Sequence, residues 1–123
     1  MMKSASAIAA ILGMLPTWAW AQSSSSILPL VTGAYAPAEA GCEAAAAAFI
    51  YIEDQGIGAN KTSGKVLSVK QDGGSYVLDV LWIEAGADET DGDRDTVRIE
   101  VETERSFFFS NTASEKTLMR WCS

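Results

Sequence analysis

The chain has 123 residues, enough for one domain, with 16 Asp+Glu against 9 Lys+Arg and no His. Without His it lacks the usual general base, the commonest metal ligand and any Ser-His or Cys-His nucleophile pair. A net charge of -7 argues against a nucleic-acid binder, which needs a basic face to release counterions from phosphate.

Residues 1–21 read as a secretory signal peptide. Lys3 gives a short positive start, Ala5 to Leu15 is an uncharged, mostly apolar stretch, and Pro16 ends it. Ala19-Trp20-Ala21 then supplies the small-x-small pattern of a cleavage site. The apolar stretch is too short to span about 30 Å of hydrocarbon as a helix. No later stretch approaches that length, so no membrane association is expected after cleavage. The expected location is periplasmic or secreted. Ala40-Gly41-Cys42 imitates the end of a lipoprotein signal, but Glu39 stands where an aliphatic residue is needed. Cys42 is therefore read as an ordinary cysteine.

The expected layout is a signal peptide (1–21), a flexible leader (22–32) and one disulfide-closed β domain (33–123). Gln22 to Ser26 is polar and of low complexity. Ile27 to Val31 is expected to dock onto the domain, with Pro29 barring a central strand role. Export places the chain where thiols pair as disulfides. Cys42 and Cys122 are the only cysteines, so an intramolecular bridge has a single connectivity. No C-x-x-C is present, which favours a structural bridge over a redox pair.

In chain order, Gly33-Ala34-Tyr35 opens the first strand. Glu43 to Ala48 (EAAAAA) predicts a short helical turn near the start of the mature domain. Phe49 to Ile52 and Lys65 to Lys70 are strands, and Gln71 to Ser75 is a turn built on Asp-Gly and Gly-Gly. Tyr76 to Glu84 is the central strand, with Tyr76, Leu78, Val80 and Trp82 on one face and Asp79 expected to be buried and hydrogen-bonded. Ala87 to Asp95 (ADETDGDRD) reads as an exposed loop. Thr96 to Glu104 alternates, with Val97, Ile99 and Val101 inward. Phe107 to Phe109 is a strand with at least one ring on its outer face. Asn111 to Glu115 turns, and Leu118 to Cys122 closes the chain. Trp82 and Trp121 are expected as core fillers. The fold class is all-β: a small antiparallel meander forming a barrel or sandwich of six to seven strands.

Charge concentrates between Glu84 and Glu104. That stretch holds Glu84, Asp88, Glu89, Asp91, Asp93, Asp95, Glu100, Glu102 and Glu104 against Arg94 and Arg98. Three readings stand: a solubilising hairpin, a docking surface for a basic partner, and a Ca²⁺ site. The preferred site is the acidic loop at Asp88, Glu89, Asp91, Asp93 and Asp95, which concentrates negative charge and selects basic proteins. Asp91, Asp93 and Asp95 alternate as Ca²⁺ ligands would, but Thr96 occupies the sixth position, where an EF-hand needs Gly. The alternative is a small-ligand or Ca²⁺ binding β-barrel. Carboxylates are plentiful enough for a glycosidase pair, yet so small a domain leaves little room for a cleft. No enzyme activity, catalytic residue, metal ligand or cofactor is assigned. Asn60-Lys61-Thr62 also fits an N-glycosylation sequon.

Gly33-x-Tyr35, Cys42, Ile50-Tyr51-Ile52, Gly56-Ile57, Asp72-Gly73-Gly74-Ser75-Tyr76 and the terminal Arg120-Trp121-Cys122 follow one another behind the signal peptide. Over residues 33–122 this layout resembles small, mostly uncharacterised secreted proteins of Gram-negative bacteria. More loosely it resembles the periplasmic and membrane-bound inhibitors of c-type lysozyme. That second resemblance implies a small antiparallel β-barrel with a disulfide reaching its C-terminal end, and a basic partner such as a c-type lysozyme. Those inhibitors insert a Ser-Gly-x-x-Tyr loop into the enzyme. Here Ser63-Gly64 begins such a pattern, but Leu67 stands where Tyr should be.

Overall fold

Apolar residues with a period of two dominate from Gly33 onward, and they fold into eight antiparallel strands. The computed structural model describes residues 23–123. The expected signal peptide and Gln22 lie outside the described residues. The strands are β1 (Gly33–Pro37), β2 (Ile50–Ile52), β3 (Gly56–Ala59), β4 (Thr62–Asp72), β5 (Ser75–Glu84), β6 (Asp93–Thr103), β7 (Ser106–Ser110) and β8 (Thr117–Cys122). Each pairs with the next, and β8 returns to β1, so the meander closes as a barrel.

The strand count corrects the expected six to seven. The strand that sequence reasoning missed is β3, whose Gly-Ile-Gly-Ala sequence carries little β propensity. It forms because Thr62 to Lys65 of β4 supplies a partner, through the two-residue turn at Asn60-Lys61. The alanine-rich stretch also differs from expectation. It holds two three-residue 3-10 segments, Gly41–Glu43 and Ala46–Ala48, and neither has a side-chain cap at its start. A run of that length cannot nucleate an α-helix without one.

The interior is filled. Tyr35, Ile52, Ile57, Leu78, Val80, Val97, Ile99 and Phe107 are at most 1% exposed. They come from the inner faces of six strands. Trp82 packs partly against this core. A Cβ on Gly64 would lie 2.9 Å from its ring and 2.7 Å from the Ile57 carbonyl oxygen, so only glycine fits there. Gly73, at φ 62, makes the two-residue turn between Asp72 and Ser75. Phe107 and Phe109 point inward. Phe108 points out, with the Lys116 ammonium 4.8 Å from its ring centroid.

Residues 23–32, expected as part of a flexible leader, are instead a strap across one barrel end. Leu28 and Leu30 sit inside the core cluster, at 3% and 0% exposure, so the docking expected for Ile27 to Val31 extends into the interior. Ser24 bridges Val31. The Ser25 hydroxyl accepts hydrogen bonds from the Leu28 and Ile27 amides, a local turn that aims Leu28 inward. The strap is held to the barrel by Ser26 N–H on the Asp54 carbonyl and Val31 N–H on the Glu104 carbonyl. The buried Tyr35 hydroxyl donates to the Val31 carbonyl at 2.6 Å. Burial pushes its pKa up to about 12, opposed by Arg105 and reinforced by Glu104.

Cys42 and Cys122 are bonded, with a Cα separation of 5.8 Å. The bridge ties the β1–β2 connection to the last residue of β8. Such a bond is consistent with an oxidising, exported compartment.

Candidate functional site: the acidic end of the barrel

In an up-and-down meander, alternate connections share one end. The β1–β2, β3–β4, β5–β6 and β7–β8 connections therefore meet at the end opposite the strap. The β5–β6 connection, residues 85–92, carries three acids, Asp88, Glu89 and Asp91. It is shorter than the sequence suggested, because β6 begins at Asp93 rather than Thr96. Asp93, Arg94 and Asp95 pair with Trp82, Leu81 and Val80 of β5, so the expected loop loses its last three residues to the sheet. The alternating charges of Asp93, Arg94 and Asp95 continue the β6 alternation past the apolar core.

The five candidate carboxylates do not act alike. Asp88 and Asp91 flank and close a single 3-10 turn, Glu89–Asp91, and are exposed. Asp93 is exposed at the barrel rim. Among the described residues, none of these three has a cationic group within 4.0 Å. Glu89 is paired with Lys65 at 2.9 Å, both side chains more than half exposed. An exposed pair of this kind contributes little to stability but cancels one charge of the patch.

Asp95 corrects the expectation most sharply. It shares the inner face with Val80 and Val97 and is half-buried at the rim. Its Oδ2 accepts hydrogen bonds from the Trp82 indole N–H at 2.9 Å and the Asn111 amide at 3.0 Å, and its Oδ1 accepts from the Thr112 hydroxyl at 2.9 Å. Asp95 is therefore a clasp joining β5, β6 and the β7–β8 connection, and it is not free to meet a partner. Burial raises its pKa, but the bonds from Trp82, Thr112 and Asn111 outweigh this and hold it below the ordinary 3.8. A carboxyl with a depressed folded-state value stabilises the fold above its unfolded value, and that contribution fades as pH falls. The barrel is thus expected to loosen at this end below about pH 3.8, seen as faster amide exchange at 111–114 and a change in Trp82 fluorescence. Asp95→Asn should remove the charge-assisted part of the clasp, cost about 1–2 kcal/mol at neutral pH, and flatten that acid transition.

Asn111 and Thr112 were not singled out by sequence reasoning. Nothing local links a Ser-Asn-Thr turn to an aspartate 16 positions upstream. Asp79, expected to be buried, faces outward, half-exposed and paired with Arg94 by both carboxylate oxygens. The alternating trio of Asp91, Asp93 and Asp95 does not converge. Among the described residues no three Asp, Glu, Cys or His side chains gather as a metal cage would require. A ligand inside the barrel would have to displace a filled core.

No family model, curated protein or solved structure matches this chain. Ser63 and Gly64 lie within β4, with Gly64 buried under Trp82. They form no projecting loop of the lysozyme-inhibitor kind.

Proposed function

We propose that this is an exported binding protein, periplasmic or secreted, that docks a basic macromolecule on the acidic end of its barrel. The observation that carries the reading is the trio Asp88, Asp91 and Asp93. These exposed carboxylates have no cation within 4.0 Å among the described residues; Asp88 and Asp91 sit on a short connection between two of the longest strands, and Asp93 is the first residue of the second. Concentrated charge on a rigid support steers oppositely charged partners and raises encounter rates. The signal-like N-terminus and the disulfide support export. The site is narrower than the five acids of the sequence, because Glu89 is compensated and Asp95 is engaged within the fold.

A c-type lysozyme is the sharpest partner, since it is basic and the disulfide-closed barrel has the architecture implied by the inhibitor resemblance. Capture of immobilised lysozyme at low salt is expected, weakening at least tenfold between about 0.02 and 0.3 M salt as screening shortens the range of the charges. The triple variant Asp88→Asn, Asp91→Asn and Asp93→Asn should lose capture while keeping its fold. Absence of capture at low salt removes the lysozyme reading. Capture that the triple variant retains removes the acidic end as the contact.

A further inference from the structure

The connections that meet at the acidic end leave a gap between two of them. A cavity of about 280 Å³ opens there onto the barrel mouth, between the Ala46–Ala48 turn and the β7–β8 connection. Its floor is the last layer of the core, Ile50, Phe109 and Met119, each at most 9% exposed. Ala47, Ala48 and Ser114 stand on its walls. The gap follows from the sequence, because the alanine run brings no side chain long enough to cover that floor. A closed cavity of about 150 Å³ accepts benzene, whereas whole small-molecule ligands fill about 300–1,000 Å³. The size suits one leucine- or phenylalanine-sized side chain and is small for a complete ligand.

The surrounding charge says what carries that side chain. Glu39 and Glu43 lie in the β1–β2 connection, and Glu115 lies between Ser114 and Thr117, which both line the cavity. All three acids are exposed. Among the described residues, none of them has a cation within 4.0 Å. Lys116, the one cation in these two connections, is committed to Glu100 at 3.0 Å and to the outward Phe108 ring. Asp88, Asp91 and Asp93 add charge at the same end of the barrel. Against them, Lys61 of the β3–β4 turn is the only cation of the four connections outside an ion pair among the described residues.

We infer that the acidic end recognises a basic segment of its partner through one apolar side chain, of leucine or phenylalanine size, seated in this cavity and flanked by Lys or Arg. The inference deepens the docking reading above and rests on it. Charge steers the encounter, but a screened contact is short-lived. An apolar anchor in a pocket with a charged rim slows dissociation and rejects basic surfaces that lack it. An extended segment places residues one or two positions from the anchor about 3–7 Å away. Glu115 is itself one position from Ser114 and two from Thr117.

Three capped peptides test this on the disulfide-bonded protein at about 0.02 M salt: Lys-Lys-Leu-Lys-Lys, Lys-Lys-Ala-Lys-Lys and Glu-Glu-Leu-Glu-Glu. The first should bind with a Kd of about 0.1–1 mM and shift the amides of Ala47, Ala48, Ser114 and Thr117. Alanine in place of leucine should weaken binding about fivefold or more, and the glutamate peptide should not bind. Ala47→Trp, at an exposed position on the cavity wall, should erase the advantage of leucine. The triple variant Asp88→Asn, Asp91→Asn and Asp93→Asn should weaken both lysine peptides alike and keep their ratio. Equal binding of the leucine and alanine peptides overturns the inference and leaves docking by charge intact. A glutamate peptide that binds as tightly as its lysine counterpart also overturns it. If lysozyme is captured and neither lysine peptide binds at about 5 mM, the cavity alone is excluded; if both fail, the docking reading falls with it.

Discussion

Reduction of the Cys42–Cys122 bridge, or Cys42→Ser with Cys122→Ser, is expected to cost about 4.5 kcal/mol, the largest loss open to any single bond in this fold. The two cysteines are 80 positions apart, so the bridge restrains almost the whole domain in its unfolded state. Loop-closure entropy of that length gives about 4.5 kcal/mol at 25 °C. A domain of this size is commonly stable by only about 5–15 kcal/mol. The midpoint of thermal unfolding should fall by roughly 20 °C or more. The closed geometry reinforces the expectation. Strands β1 and β8 are the first and last of the barrel, and their pairing depends on bringing the chain ends together. That contact is the slowest to find by loop closure, and the bridge makes it local. Thermal melts with and without reductant measure the difference. A shift of only a few degrees would mean that the β1–β8 seam holds without covalent help.

The parts of this fold legible in the sequence are those written in side-chain periodicity. Tyr76, Leu78, Val80 and Trp82 were expected on one face of a strand, as were Val97, Ile99 and Val101, and both sets line the barrel interior. The Phe107 to Phe109 strand behaves as alternation requires. The bridge followed from there being two cysteines. What escaped was determined by partners distant in sequence. β3 is a strand because β4 lies beside it, and its own residues say little. The start of β6 was hidden because Asp93 and Asp95 are polar at the rim of an apolar strand, where alternation persists while hydrophobicity stops. For the same reason the acidic site was drawn too wide. A carboxylate count cannot tell Asp88, open to solvent, from Asp95, which is spent on Trp82, Asn111 and Thr112. The docking of Ile27 to Val31 was legible as an apolar run, but nothing in the polar Gln22 to Ser26 stretch shows that Ser25 turns the chain to aim Leu28 into the core.

Apart from loss of the bridge, Leu30→Ala is therefore expected to be the most damaging single change outside the strands, at about 3 kcal/mol. Leu30 is wholly buried in a cluster with Leu28, Tyr35 and Phe107, and truncation would leave a void that the closed barrel cannot collapse to fill. Large-to-small changes at such sites cost about 2–5 kcal/mol. The hydrogen bonds around it add to the effect. A strap that loosens takes the Val31 carbonyl away from the Tyr35 hydroxyl, leaving a buried polar group without its short partner. Ser26→Ala provides the contrast, since it removes only an exposed contact with the Asp54 side chain and should cost less than about 0.5 kcal/mol. Urea unfolding of the three proteins separates the outcomes. If Leu30→Ala and Ser26→Ala both fall within experimental error of the parent, residues 23–32 are a tether lying on the barrel. If only Leu30→Ala falls, the strap is the ninth structural member of the barrel, and its leucines close the end that eight strands leave open.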